Sequence, residues 1–371
     1  MDNRLTHNTG NDVHEDEERT VSGPSAAPPR NALGDWFRRL PRWPLVAGLL
    51  IALILLPLVL GRYAFIMRMA NFILIYCLLA MGLNIITGCT GLFNMGHAAF
   101  YGIGAYASAL LMVRLNQPFF LCLAFATVVT GFAGFLIAIP CLRVHSDYLG
   151  LITTAFGTVF NTVALHWMSV TNGPLGIPGI PAPSVASFVF DTPSRYYYLF
   201  LAIVVLTYVA LHNILDSRVG RALYSIRDDE ICAAAQGINV RYYKMLAFVL
   251  GTLPAGLAGS LAAHYLRFVS PEPFRFVQST KVLSMIILGG LGSLPGSILG
   301  AIFFVILPEI FRPLAVYEVG IGGAITLALM LFRPQGMLGS VAYAGAGGLQ
   351  GALYRWRQRV QQERRQRLER D

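Results

Sequence analysis

An all-α, polytopic membrane fold is the class the sequence predicts, and three observations carry it. Of 371 residues, 55% are apolar and only 13% are charged, whereas soluble domains average about a quarter charged. The apolar residues gather into runs of about 20, the length that crosses a bilayer as a helix. The net charge of +9 sits at the edges of those runs and in the C-terminal tail, where positive charge sets topology. A membrane therefore accounts for the basic balance, and no nucleic acid is called for.

Residues 1–43 are expected to form a disordered cytoplasmic tail. The first part carries Asp2, Asp12 and Glu15–Glu18, then Pro24, Pro28 and Pro29, with almost nothing apolar to bury. Arg38, Arg39 and Arg42 precede the first apolar run, and no A-x-A-like cleavage site follows it, so this run is read as an anchor with the tail inside. Spans then follow near 44–60, 64–86, 96–113, 119–140, 149–170, 196–213 and 245–266, with shorter runs near 279–290 and 296–311 and a last span near 315–332. About ten transmembrane or part-spanning helices make a single membrane domain over 44–338. An even count returns the basic tail, 339–371, to the cytoplasm, so both termini face inward and Arg143, His145 and Arg355–Arg370 all lie on that side. Arg62 and Arg114 fall at outer span edges and can snorkel, while Arg68 lies inside the second run and argues that it starts later or faces protein.

Asp216–Pro254 is a polar island between apolar runs. Arg218, Arg221, Arg227, Arg241 and Lys244 surround Asp228, Asp229 and Glu230, a charge density that hydrocarbon cannot hold. Asp228 reads as the N-cap of a short helix through Glu230, Ala233 and Ala234 that stops at Gly237, a favourable C′ residue. A short capped helix with a small face suits a groove on another protein. This cytoplasmic loop, about 214–245, is read as a docking or coupling segment; the plainer reading is an ordinary positive-inside loop.

Two glycine-rich interruptions stand out. In 88–105, GCTGLFNMGHAAFYGIGA, Gly91, Gly96 and Gly102 accompany Asn94 and His97, so the segment is expected to pack on protein or line a pathway, with broken backbone shielded from lipid. Later, Gly292, Gly296 and Gly300 form a small-xxx-small series behind Gly289 and Gly290. Interruptions in both halves suggest an internal repeat with a pathway at its interface; taken one by one, each glycine reads equally as plain helix packing. The stretch 171–195 has three glycines and five prolines and is read as an ordered external loop. Asn84, Asn94, His97 and Asn161 are the candidates for a translocation pathway, because intramembrane polar groups are functional candidates by default; helix-to-helix hydrogen bonds are the alternative for each, and also for His166 and His264. The five cysteines have no paired or metal-type spacing, no metal site is expected, and no catalytic cluster points to an enzyme.

Five strings in order, GLNIITGCTGLFNMGHAAFYGIGAYASALL (82–111), SDYLGLITTAFGTVF (146–160), TNGPLGI (171–177), GRALYSIRDDEICAAAQGINVRYYKMLAFVLG (220–251) and ILGGLGSLPGSILGA (287–301), resemble the membrane subunits of branched-chain amino acid ABC importers, specifically the LivM-type permease. The resemblance covers about 64–338. It implies a translocation pathway for branched-chain or related amino acids in a bacterial inner membrane, a second homologous permease, two cytoplasmic ABC ATPases and a periplasmic binding protein that delivers substrate. It also implies that Arg221, Asp228, Asp229, Glu230, Ala233, Ala234 and Gly237 belong to an ATPase-coupling loop, although Ala233–Ala235 stand closer to Gly237 than the general importer pattern has them. The chain carries no G-x-x-x-x-G-K-[ST] loop, so ATP is expected on partner subunits and no cofactor in this chain. A self-contained secondary transporter or channel for small polar solutes is the alternative; only Glu309 offers an acidic group for ion coupling.

Overall fold

Glycine, asparagine and serine punctuate the apolar runs, and the helices of the computed structural model start and stop at them. The structure describes residues 53–58, 61–141, 146–185 and 188–310, with single positions at 320, 323, 327 and 337. The expected tails, the last span near 315–332 and all but 53–58 of the first lie outside the described residues. In chain order the helices are α1 (Ala64–Leu83, continued by a π-helical turn, Asn84–Cys89), α2 (His97–Leu115), α3 (Phe119–Cys141), α4 (Ser146–His166), α5 (Pro193–Asp216), α6 (Arg218–Asp228), α7 (Glu230–Ala235), α8 (Val240–Leu266), α9 (Phe276–Gly289) and α10 (Leu294–Ile310).

Among the described residues six helical stretches are long and apolar enough to cross a membrane: Ala64–Cys89, His97–Leu115, Phe119–Cys141, Tyr148–His166, Pro193–Asp216 and Val240–Leu266. Their order and bounds follow the expected runs within a few residues. α9 has 14 residues, and at 1.5 Å per residue it reaches about two thirds of the hydrocarbon thickness. Arg68 does not delay α1, which starts at Ala64 and leaves Arg68 exposed on its second turn.

Within the chain, 83% of the apolar window of Ala64–Cys89 and 67% of that of Val240–Leu266 is buried, against 22% for Tyr148–His166. α1 and α8 are therefore the core, and α4 is peripheral. α8 lies against α2, α3 and α1, and glycines set the spacing: a Cβ on Gly104 would strike the Gly256 backbone, and one on Gly259 the Tyr101 carbonyl. Backbones that close are the membrane route to tight packing, since apolar side chains gain little by leaving lipid for protein. Ser108 Oγ, on α2, meets Ser260 Oγ at 2.7 Å and His264 Nε2 at 2.9 Å across the same interface, and His264 Nδ1 meets the Pro181 carbonyl at 3.2 Å. His264 thus makes a helix-to-helix link. On the outward faces Phe125, Val128, Phe132, Tyr148, Leu151 and Val159 are exposed, a surface that lipid or another subunit must cover.

The stretch 171–195 is held by short two-residue ladders. β1 (Ile177–Pro178) pairs antiparallel with β4 (Phe268–Val269), which follows α8, and β2 (Ser184–Val185) pairs with β3 (Phe188–Val189). Arg114 closes the same end by donating to the carbonyls of Ser169 and Val170 at 2.6 and 3.0 Å.

Candidate functional site

The two glycine-rich interruptions, distant in sequence, meet at the end of the bundle that carries α6 and α7. α1 does not end cleanly. It widens into a π-helical turn over Asn84–Cys89, a distortion that often marks functional positions, and Thr90 Oγ1 closes the turn by donating to the Ile85 carbonyl at 2.9 Å. Gly91 follows with φ +75°, open to glycine at little cost. The chain then crosses back to α2 through an Asn94 turn, in which Asn94 Oδ1 accepts from Gly96 N–H at 2.9 Å. Side chains of other helices hold this stretch in place: Thr153 of α4 accepts from Met95 N–H at 3.1 Å, and Ser279 of α9 from Ala98 N–H at 2.9 Å.

The second interruption, between α9 and α10, turns on Gly290 and Gly292, with φ +117° and +83°. Asn84 Oδ1 accepts from Gly292 N–H at 2.8 Å, so the first break caps the second. A Cβ on Gly88 would collide with Asn84 Oδ1 and lie 2.5 Å from the Gly292 nitrogen.

α6 completes the junction. Ser217 caps its first turn by accepting from Val219 N–H at 3.1 Å, and its buried face, Ala222, Leu223 and Ile226, lies against the protein. Beside that face Tyr224 donates to the Gly292 carbonyl at 3.2 Å and Arg227 Nη1 to the Gly88 carbonyl at 2.5 Å. Burial pushes the Tyr224 hydroxyl up from its ordinary pKa, with the Cys89 thiol beside it adding to the shift.

Beyond α6 the chain turns away from the bundle. The N-cap of α7 is Asp229, not Asp228: Asp229 Oδ1 accepts from Ile231 and Cys232 N–H at 2.8 and 2.9 Å. α6 runs one residue further than the charge pattern suggests, so Asp228 ends it and the cap shifts by one. The amides of Cys232 and Ile231 hold the Asp229 carboxyl below its usual pKa. The C-terminus closes as a Schellman motif, with Ile238 N–H donating to Ala233 O at 3.1 Å, Gly237 N–H to Ala234 O at 3.0 Å, and Gly237 at φ +84°. Glu230 folds back to an ion pair with Lys244 and is not turned outward. Arg221 and Ala234 are exposed, Ala233 is buried, and Ile231 is 81% exposed, an apolar side chain left in the open at the tip of the arm.

The junction gathers Asn84, Gly88, Gly91, Gly292, Tyr224 and Arg227, with Asn94, Gly96 and His97 next along the chain. Asn84, Asn94 and His97 are fully buried. Asn84 Nδ2, Thr87 Oγ1 and Asn94 Nδ2 have no hydrogen-bond partner among the described residues; neither His97 ring nitrogen makes a bond of good geometry, although the Leu79 carbonyl lies close to the ring. Asn161 stands apart. It is half-buried, and its amide donates to the Pro271 carbonyl at 2.8 Å, tying α4 to the segment before α9. Gly102 lies inside the regular turns of α2, not in broken backbone, against Phe160 and Phe274; the break ends at Gly96, whose missing Cβ leaves room for Thr153. Gly296 packs on Gly289, and Gly300 on the Met285 carbonyl. Tyr224, Arg227 and Thr87 were not singled out in the sequence as site residues. Tyr224 and Arg227 stand three apart beside a buried face, a helical spacing that marks them only once Leu223 and Ile226 are known to point inward.

Residues 65–333 match the family described as the permease component of branched-chain amino acid transport systems. The chain is 36% identical over 292 residues to the high-affinity branched-chain amino acid transport system permease protein LivM of Escherichia coli (strain K12), covering 72% of this chain and 69% of that protein. It is 27% identical over 289 residues to the permease protein BraD of Pseudomonas aeruginosa, 71% of this chain and 91% of that one. To the LivH permease protein of Escherichia coli (strain K12) it is 25% identical over 286 residues, with the same coverage of the two chains. No solved structure matches the chain. With a family match over most of its length and a higher identity to LivM than to LivH, the chain belongs to the family of branched-chain amino acid transport permeases, as a LivM-type multi-pass membrane permease.

Proposed function

We propose that this chain is the LivM-type permease subunit of an ATP-driven importer and forms, with a second homologous permease, the passage for branched-chain or chemically related amino acids delivered by a periplasmic binding protein. Two ATPase subunits supply the energy, and the chain itself catalyses nothing and holds no cofactor. The observation that carries the reading is the arm 216–239, an outward-turned pair of capped helices whose base is bonded to both interruptions of the membrane domain. An element that faces a soluble partner at its tip and broken membrane segments at its base is what coupling of hydrolysis to transport requires. In this reading the arm and both termini are cytoplasmic. α7 enters the ATPase groove with Ile231 and Ala234 on its exposed surface, and Ala233 is the face it keeps against its own chain.

The passage runs beside the first interruption, where Asn84, Asn94 and His97 are held out of water with polar atoms unpartnered. Leaving buried polar atoms unbonded costs roughly 1–3 kcal/mol each. Such a cost is relieved where water or substrate bonds these atoms, as a passage beside the segment allows. Asn161 lies outside this group and serves packing.

The test is Ala234→Trp. On an exposed position it leaves insertion and abundance unchanged while transport and co-purification of the ATPase fall together, by about tenfold or more if the residue lies at the centre of the interface. Wild-type co-purification and leucine uptake in that variant would reduce α7 to a topology signal.

A further inference from the structure

We propose that Arg227 and Tyr224 form the strut through which movement of the arm reaches the membrane segments, with Arg227 seated in a slot that both interruptions build. Three independent features place it there. Its guanidinium donates to the Gly88 carbonyl, in the π-helical turn of the first break, and the neighbouring Tyr224 hydroxyl donates to the Gly292 carbonyl of the second. Two residues without side chains line the slot: a Cβ on Gly91 would make ordinary contact with Arg227 Cγ at 3.4 Å, and one on Gly292, 2.7 Å from Arg227 Nη1, would push the end of the guanidinium off its seat. Both glycines also hold positive φ, +75° and +83°, so the backbone bends out of the path of the arginine at two places far apart in sequence. Third, Asn84 Oδ1 accepts from Gly292 N–H, which fastens the two walls of the slot to each other.

The Gly88 carbonyl lies within a distorted turn, where the regular backbone ladder is disturbed, and a charged, rigid donor suits it better than another amide. Arg227 reaches it from α6, and α6 continues through the Asp229 cap into α7. A displacement of α7 therefore pulls on Gly88 and Gly292 through two side chains that lie within about two helical turns of Ile231 in sequence. Arg227 and Tyr224 touch no substrate; they are positioning residues. The inference rests on the importer reading of the arm.

Two measurements test it. In the purified chain, hydrogen exchange of 88–96 and 290–293 should rise by about tenfold in Arg227→Gln, the factor that loss of one charge-assisted hydrogen bond allows, while exchange of α3 stays as it was. Unchanged exchange at both breaks overturns the strut. In the complete complex in liposomes, with ATP and leucine, Arg227→Gln and Tyr224→Phe should keep ATPase co-purification and basal hydrolysis within twofold of wild type. The leucine moved per ATP hydrolysed should nevertheless drop, about tenfold for Arg227→Gln and less for Tyr224→Phe, which loses only a hydroxyl. A variant that loses transport only in proportion to lost complex shows a plain folding role and overturns the proposal, as does wild-type stoichiometry in both. A wild-type complex that fails to move leucine or any related amino acid removes the importer reading itself and this inference with it, whatever the exchange data show.

Discussion

The two interruptions, 84–96 and 290–293, share a glycine-rich composition and touch each other, but their polar groups end differently. At the second, both serines among the described residues are bonded: Ser293 Oγ accepts from Gly296 N–H at 3.1 Å, and Ser297 Oγ donates to the Ser293 carbonyl at 3.1 Å. The first leaves atoms of Asn84, Thr87 and Asn94 unpartnered, and His97 is no better served. One break thus closes its bonds within its own turn, while the other presents buried polar atoms that the described residues do not bond. Glycine content marks a break; it does not say which kind.

Replacing Gly96 or Gly296 by Leu should produce the largest effects, because a Cβ would lie 2.2 Å from the Thr153 carbonyl oxygen in the first case and 2.5 Å from that of Gly289 in the second. Overpacking of this sort costs about 1–3 kcal/mol or more, and loss of extractable folded protein is the expected outcome. Gly96→Leu and Gly296→Leu should be comparably severe, whereas Ala124→Leu on the exposed face of α3 should be tolerated. Size-exclusion profiles of the three variants measure this. Equal tolerance at all three would show that neither break is tightly packed and would dissolve the comparison at its root.

A smaller effect separates the breaks by sign. Ser293→Ala removes the acceptor of the Gly296 amide and should lower stability by about 1 kcal/mol. His97→Leu removes two poorly bonded buried nitrogens at nearly constant volume, so the thermal midpoint should hold or rise while leucine uptake falls. A drop in midpoint for His97→Leu as large as that for Ser293→Ala would mean that the ring is bonded in the native state and that the two breaks are alike.

These contrasts also show what was legible in the sequence. Run length and charge placement gave the helices, because burial in lipid forces long apolar runs and the six long spans start and stop within a few residues of expectation. The breaks were legible for the same reason, as glycine and asparagine interrupt a pattern that hydrocarbon otherwise enforces. That they meet was not. Asn84 and Gly292 are 208 residues apart, and nothing periodic links them. The cap at Asp229 was missed by one residue because three consecutive acids, Asp228, Asp229 and Glu230, are all plausible caps in sequence. Geometry then distributes the roles: one ends α6, one caps α7, and one pairs with Lys244. The small ladders at 177–178 and 268–269 were invisible because two residues carry no alternation.

The smallest expected effect lies at the tip of the arm, which bonds to neither break and so serves as the control for both. Asp229 is fully exposed, and its carboxyl is held below the usual range by the amides of Cys232 and Ile231. A depressed folded pKa means that the cap stabilises α7 fully above the unfolded carboxylate pKa, about 4, and loses that contribution as pH falls through the lower folded value. Asn at this position caps a helix about as well and does not titrate in this range. Asp229→Asn should therefore match wild type at pH 7 in ATPase co-purification and in hydrogen exchange of both breaks. On acidification toward pH 3 to 4, exchange of the α7 amides should rise more in wild type than in the variant, with 88–96 and 290–293 following the same course in each. If exchange at either break diverges between the two proteins as the pH falls, weakening the cap alone disturbs that break, and the tip is not the independent control that its lack of bonds to the breaks implies.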